Sequence, residues 1–253
     1  MTYLLMTLTV SLAINILLFF VAFRLQSDKL TDISYAVTFA VIALWVFALS
    51  DKSWYHTILT ALVLIWAVRL GSFLLYRIIK NGKDKRFDDM RSSFFKFGKF
   101  WIAQAVTVWA MMIPSVFALN HQAIIGIVAY IGIALWAVGL VCETIADVQK
   151  MKFKSNPANK GKWIESGIWR YSRHPNYFGE ILVWIGVYIF AATSLPPAQA
   201  IIGLVSPLFI IVLLLFVSGI PLLEKSADQR WGNDPAYKKY KKHTSLLIPM
   251  PKW

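Results

Sequence analysis

The sequence predicts an all-α, polytopic integral membrane protein with seven transmembrane helices, its N-terminus outside and its C-terminus cytoplasmic. Three observations carry this reading. Of 253 residues, 58% are hydrophobic and only 15% charged, whereas a soluble domain carries about a quarter charged residues. The apolar residues form continuous runs near the roughly 20 residues that a helix needs to cross hydrocarbon, without the alternating faces of barrel strands. Finally, a formal charge of +13, from 26 Lys+Arg against 13 Asp+Glu, falls almost wholly on alternate connections.

The apolar runs lie at about 3–23, 33–50, 57–76, 100–119, 123–145, 178–195 and 200–222. The first lacks a basic leader and a small-residue cleavage site before Arg24, so it reads as a retained span. The third contains Arg69 within LIWAVRLGSFLLYR, the fifth ends near Glu143 and the sixth begins at Glu180. Ionisable groups are costly against lipid, so these three are expected to face the bundle interior, a partner or water. In the fourth, Gln104 is a polar cavity candidate and Pro114 a kink. Cys142, the single cysteine, excludes an internal disulfide framework and reads as a small buried hydrophobe. No second His or Cys stands at ligand spacing from His174, so no metal site is expected.

Twenty-four of the 26 cations lie on the first, third and fifth connections and the tail, while the opposite face has Lys52 alone. The positive-inside rule turns that asymmetry into the stated orientation. Many of these cations need only set topology and meet anionic headgroups.

The fifth connection is denser than topology requires. Asp147, Lys150 and Lys154 fall at spacings of three and four, which places them on one face of a continued helix five until Asn156, Pro157 and Asn159 break it. WRYSRHPNYFGE then packs Arg170, Tyr171, Arg173, His174, Asn176, Tyr177 and Glu180 into twelve residues before an apolar helix. Pro175 suits the first turn of that helix, whose free amides favour an anion. Guanidinium groups there suit phosphates, two tyrosines can flank a planar ring, and Asn176 offers a donor and an acceptor to an amide or adenine edge. The competing reading is a lipid-headgroup patch with an interfacial aromatic belt.

WRYSRHPNYFGE, the following Trp184 and Gly186, the Asp147–Lys154 segment, and the late SGIPLLEK and YKKYKKHTSLLIP together resemble the bacterial DUF1295 family. That family is related to the membrane steroid 5-alpha-reductases and more distantly to the isoprenylcysteine carboxyl methyltransferases. In the methyltransferases the same RHP-x-Y-x-G pattern helps to bind S-adenosylmethionine, so two cofactors compete for one motif. LWAVRL followed by YRIIKNGKDKRFDDMR, with Asp84, Lys85 and Arg86, resembles the reductase branch. The resemblance implies NADPH. It assigns Asp147, Lys154, Asn176 and Glu180 to polar positions of the cofactor site, Arg69, Arg77 and Arg86 to its phosphate side, and makes Glu224 and Tyr240 of the tail neighbours of the cofactor. No G-x-G-x-x-G offers a Rossmann domain instead.

A reductase of this type also needs a proton donor. Asp32 and Tyr35 in LTDISYAVTF share one helical face and form an acid pair of suitable type, a tyrosine held by a carboxylate. The alternative is a helix cap at Asp32 and an interfacial Tyr35. Asp32 also falls roughly where the reductases carry their acidic residue, while their tyrosine position near WAVR is Trp66 here. The expected organisation is one membrane domain over 1–253, with substrate-side helices in 1–120 and the cofactor-binding half in 121–253. The expected activity is NADPH-dependent reduction of a lipophilic enone, steroid-like or isoprenoid, drawn from the bilayer of a bacterial inner membrane, with the site opening to the cytoplasm. The alternative is an S-adenosylmethionine-dependent membrane methyltransferase. The partners expected are that small-molecule substrate and membrane lipids, with no nucleic acid, and the chain is expected to be a monomer.

Overall fold

The computed structural model describes residues 2–81 and 87–251, apart from the side chain of residue 81. Long apolar runs fold as helices because lipid offers no hydrogen bonds, so each segment must satisfy its own backbone. The helices are α1 (Thr2–Arg24), α2 (Lys29–Leu49), α3 (Trp54–Asn81), α4 (Phe94–Ala118), α5 (Ile127–Ser155), α6 (Pro175–Ala192), α7 (Pro197–Gly203), α8 (Val205–Val212), α9 (Ile220–Trp231) and α10 (Pro235–His243). Among the described residues seven stretches are long and apolar enough to cross a membrane: α1 to α6, and Pro197–Trp231, which spans α7 to α9. The protein is thus an all-α polytopic membrane protein. Among the described residues the extended pairing is one isolated parallel bridge, Ser172 to Ser245.

The expected single helix over 200–222 is broken. A π-helical turn at Leu213–Val217 interrupts it, and Gly219 ends it with φ −93° and ψ −101° before Pro221 opens α9. Pro207, which has no N–H to give, also falls inside this stretch. Pro114 lies inside α4. α5 runs past the apolar stretch to Ser155, which confirms the continuation that carries Asp147, Lys150 and Lys154.

The chain forms two compact units, Met1–Tyr130 with Val187–Ser206, and Ile131–Gly186 with Pro207–Trp253. In the first, α1 packs on α4 and α2, and α2 on α3 and α4. Its apolar packing includes Phe19, Phe87, Phe97 and Trp101. Through it runs a polar seam. Gln104 Nε2 donates to Asn15 Oδ1 at 2.9 Å and to Ser34 Oγ at 2.8 Å. Asn15 Nδ2 donates to Thr38 Oγ1 at 3.2 Å and to the Ser11 carbonyl at 2.9 Å. Ser11 Oγ donates to the Ala105 carbonyl at 2.8 Å. Gln104, a cavity candidate from sequence, instead ties α4 to α1 and α2 with its amide hydrogens bonded.

In the second unit α5 and α6 meet backbone to backbone. A Cβ on Gly139 would lie 2.6 Å from the Gly179 carbonyl, one on Gly179 2.6 Å from the Glu143 amide, and one on Gly186 2.6 Å from the Gly132 carbonyl. Gly132 and Gly139 are seven residues apart, as are Gly179 and Gly186. Small residues at that repeat keep one face of each helix bare, and in a bilayer close packing of this kind holds helices together.

Candidate functional site

The residues with the densest chemistry fall in the second unit, where the WRYSRHPNYFGE segment is fixed from three sides. From α5, Gln149 Oε1 accepts the Ile168 amide at 3.0 Å, and the Ala146 carbonyl accepts Trp169 Nε1 at 3.0 Å. Gly167 has φ +61°, a conformation that favours glycine, and a Cβ there would lie 2.3 Å from Gln149 Oε1 and displace that side chain. From α10, Tyr240 Oη donates to the Trp169 carbonyl at 3.0 Å. From the chain after α10, the Ser245 carbonyl accepts the Arg173 amide at 2.9 Å, and the Leu247 carbonyl accepts Ser172 Oγ at 2.6 Å. Ser172 Oγ in turn accepts the His174 amide at 3.1 Å. The segment enters α6 through Pro175, the first residue of that helix.

Glu224 of α9 is the centre of the charged cluster. Its carboxylate receives Arg173 Nη1, lies 2.9 Å from His174 Nε2, and is 3.2 Å from Lys241 Nζ, which also reaches Asp228 Oδ1 at 2.6 Å. The His174 ring stacks on Tyr177 at 5.8 Å and 10°. Burial pulls the imidazole of His174 below its ordinary range; the hydrogen bond and charge of Glu224 oppose this, and Lys150 and Arg173 reinforce it. The ring is therefore held neutral near pH 7, with Nε2–H donating to Glu224. Burial alone would lower Lys241, but the carboxylates of Asp228 and Glu224 more than reverse that. Burial raises the Tyr240 phenol, so it stays protonated.

Around this cluster Arg173 Nε, His174 Nδ1, Asn176 Oδ1 and Thr244 Oγ1 are buried with no hydrogen-bond partner. Buried polar atoms are normally satisfied. Three of these orphans on a segment otherwise bonded on three sides, with Thr244 from the end of α10, mark where a polar ligand, or ordered water, completes the bonding.

The other sequence candidates divide. Asp147 is buried on α5, and Lys150 lies over the Trp169 ring at 4.6 Å. Lys154 is exposed, Glu180 is half-buried on α6, and Arg170 and Tyr171 are exposed. Glu143 is buried, as its cost against lipid required. In the first unit Arg69 lies over the Phe73 ring at 5.6 Å. Arg77, assigned from sequence to phosphate, donates to Asp32 Oδ2 at 2.8 Å. Tyr35 Oη lies 3.5 Å from Met111 Sδ, and its ring meets Phe39 and Trp66 edge-on. Asp84 and Arg86 lie outside the described residues. Among the described residues no cluster of three His, Cys, Asp or Glu stands ready for a metal.

Sequence reasoning missed Lys241, Asp228, Gln149 and Thr244 as parts of this cluster, and the glycine seam beneath it. The seam had a signal, the seven-residue glycine repeat in two successive apolar runs. The others had none, because their partners are distant in sequence.

The family model described as "Protein of unknown function (DUF1295)" matches residues 18–244. The chain belongs to this family. The match covers α2 to α10 and so includes the whole cluster around Glu224. The DUF1295 protein is also similar to "Probable O-methyltransferase ustE" of Ustilaginoidea virens, at 46% identity over 46 residues, 18% of this chain and 16% of that one. It is similar to "Uncharacterized protein C594.04c" of Schizosaccharomyces pombe, at 21% identity over 224 residues, 76% of this chain and 62% of that one. The chain therefore spans less than two thirds of the length of either relative. No solved structure matches it.

Proposed function

We propose that this DUF1295 protein is a membrane enzyme that uses NADPH to reduce the carbon–carbon double bond of a lipophilic enone drawn from the bilayer, from the cytoplasmic face of a bacterial inner membrane. The observation that carries the reading is the set of orphaned buried atoms on Arg173, His174 and Asn176 at the N-terminus of α6, and on Thr244 at the end of α10, with the Arg173 guanidinium braced by Glu224. The donor set fits a phosphate-bearing cofactor with an amide and a planar base. Arg173 offers charge-assisted bonds, Asn176 Oδ1 accepts from an amide or exocyclic amine, and the His174–Tyr177 stack offers a flat apolar face. Arg173, His174, Asn176, Tyr177 and Thr244 would hold the cofactor, with Lys150 and Lys154 adding positive charge.

When bound, NADPH supplies a hydride equivalent to the enone, and the chain must supply the proton and a dry, oriented site. Tyr35 is the proton donor in this reading, delivering to the oxygen side of the enone. Asp32, a carboxylate paired with Arg77, is the second catalytic residue of this reading. Glu224 keeps His174 in one tautomer, leaving Nδ1 as an acceptor.

A second reading, an S-adenosylmethionine-dependent methyltransferase, is favoured by the short similarity to the O-methyltransferase-named protein. Charge complementarity argues for the dinucleotide, because Arg173, Lys150, Lys154 and Arg170 lie on or beside one segment and S-adenosylmethionine brings a sulfonium cation. Calorimetric titration of the purified protein with NADPH and with S-adenosylmethionine decides between them. The expected result is saturable NADPH binding, weakened about tenfold or more in Arg173→Ala and Asn176→Ala with the helical fold retained by circular dichroism. Tight binding of S-adenosylmethionine without NADPH binding overturns the proposal.

A further inference from the structure

The chain after α10 turns through a series of bends around a bridge at Ser245, and its side chains alternate between two environments. Hydrogen bonds from the Arg173 amide to the Ser245 carbonyl, from Ser172 Oγ to the Leu247 carbonyl and from the Met250 amide to the Tyr171 carbonyl, at 2.9, 2.6 and 3.1 Å, lay residues 245–250 along residues 171–173. Ser245, Leu247 and Pro249 are half-buried, while Leu246, Ile248 and Met250 point away with 40%, 54% and 39% of their surfaces exposed. An apolar row on the outward side has no reason to be there if that side meets only water.

α10 divides in the same way. Tyr237 and Tyr240 are buried, Lys241 turns to Glu224 and Asp228, and Lys238, Lys239 and Lys242 are exposed on the other face. Asp234 caps the helix by accepting the Ala236 amide at 2.7 Å, so the lysine face is held in register. The height of the apolar row is also fixed. It is bonded to residues that precede the membrane-crossing α6 by two to four positions, which places it within about 14 Å of the start of that span.

We propose that residues 245–250 and the lysine face of α10 form an interfacial anchor that docks on the anionic headgroup layer of the protein's own bilayer, Leu246, Ile248 and Met250 entering the headgroup–acyl boundary and Lys238, Lys239 and Lys242 meeting lipid phosphates. Charge decides the occupant: a surface of exposed lysines beside exposed aliphatic side chains matches anionic lipid, for which each cation near the surface adds attraction that salt removes. The anchor does not rest on the proposed reductase activity. It would hold Lys241 against Glu224 and so tie the cluster to the membrane surface.

The test is spin-label accessibility on the full chain in single-copy nanodiscs, with Cys142→Ala as background and a nitroxide at Ile248→Cys or, independently, Met250→Cys. In phosphatidylglycerol-containing discs the label is expected to be accessible to oxygen and protected from a water-soluble nickel chelate. That protection should fall severalfold in phosphatidylcholine discs, at high salt, and on combined Lys238→Gln, Lys239→Gln and Lys242→Gln substitution. Equal chelate accessibility in both lipids overturns the anchor. So does protection that is the same in both lipids, or that appears only when two protein copies share a disc.

Discussion

His174 Nε2 lies 2.9 Å from Glu224 Oε1, although the two residues are 50 positions apart and sit at the starts of different helices, α6 and α9. The same carboxylate takes Arg173 and Lys241. One side chain of α9 therefore orients two consecutive residues of the RHP motif and fastens α10 to them.

Removing that carboxylate leaves Arg173 partly buried with its charge uncompensated, since the two side chains are 13% and 17% exposed. Glu224→Ala is expected to cost about 3 kcal/mol of stability, read as a lowered thermal midpoint in detergent. Glu224→Gln, which keeps an acceptor but loses the charge, should cost less than Glu224→Ala. Equal stability of Glu224→Ala and the unaltered protein would show that the cluster is dispensable.

Titration of His174 gives a signed expectation. Its pKa in the fold lies below the ordinary value of 6.5, with burial the largest cause. The unfolded chain therefore binds the proton more readily, and the stability this residue contributes is fully present above pH 6.5 and lost as pH falls through the depressed value. The thermal midpoint should drop on acidification over that window. His174→Gln should flatten this part of the profile; a profile unchanged by the substitution would remove His174 as its source.

The glycine seam between α5 and α6 should be unforgiving. Gly139→Ala and Gly186→Ala each force a methyl group to within 2.6 Å of backbone on the facing helix, and rigid backbone cannot give way. A loss of about 1–3 kcal/mol is expected for each. Gly98 of α4 is the control, because a Cβ there meets the Phe19 ring at an ordinary 3.6 Å; Gly98→Ala should be neutral or slightly stabilising. Parallel thermal-shift measurements on the three variants test the contrast.

The polar seam of the first unit invites a double-mutant cycle. Gln104 Nε2 and Asn15 Oδ1 are 2.9 Å apart, and both residues are buried. Hydrogen bonds between membrane helices are worth about 0.6 kcal/mol on average and up to about 1.7. Gln104→Leu, Asn15→Leu and the double variant should show a coupling of that size, and strict additivity would mean that the bond carries no net stability.

The spans were legible because lipid imposes a local signature, and α5 showed its extension past the apolar run in the spacing of Asp147, Lys150 and Lys154. The residue types of the site were legible for a related reason: Arg, His, Asn and Tyr packed at a membrane surface need a use. Their pairing was not. Asp32 and Tyr35 share a helical face, yet the partner the structure gives Asp32 is Arg77, 45 residues on. Nothing in the sequence near Asp32 announces that. Lys241 looked like one of several tail lysines, and only the fold of α10 separates it from the exposed Lys238, Lys239 and Lys242.

The sequence by itself determined that this chain crosses a membrane with seven apolar stretches and gathers its cations on alternate connections. Hydrophobicity and charge act residue by residue against the solvent, so these survive in one dimension. Only the tertiary structure decided that the last stretch is broken by a π-helical turn, that α5 and α6 meet through glycine backbone, and that Glu224 is the common partner of Arg173, His174 and Lys241. Each of these depends on short contacts between residues far apart in the chain, and contact geometry, unlike hydropathy, belongs to pairs of residues brought together by the fold.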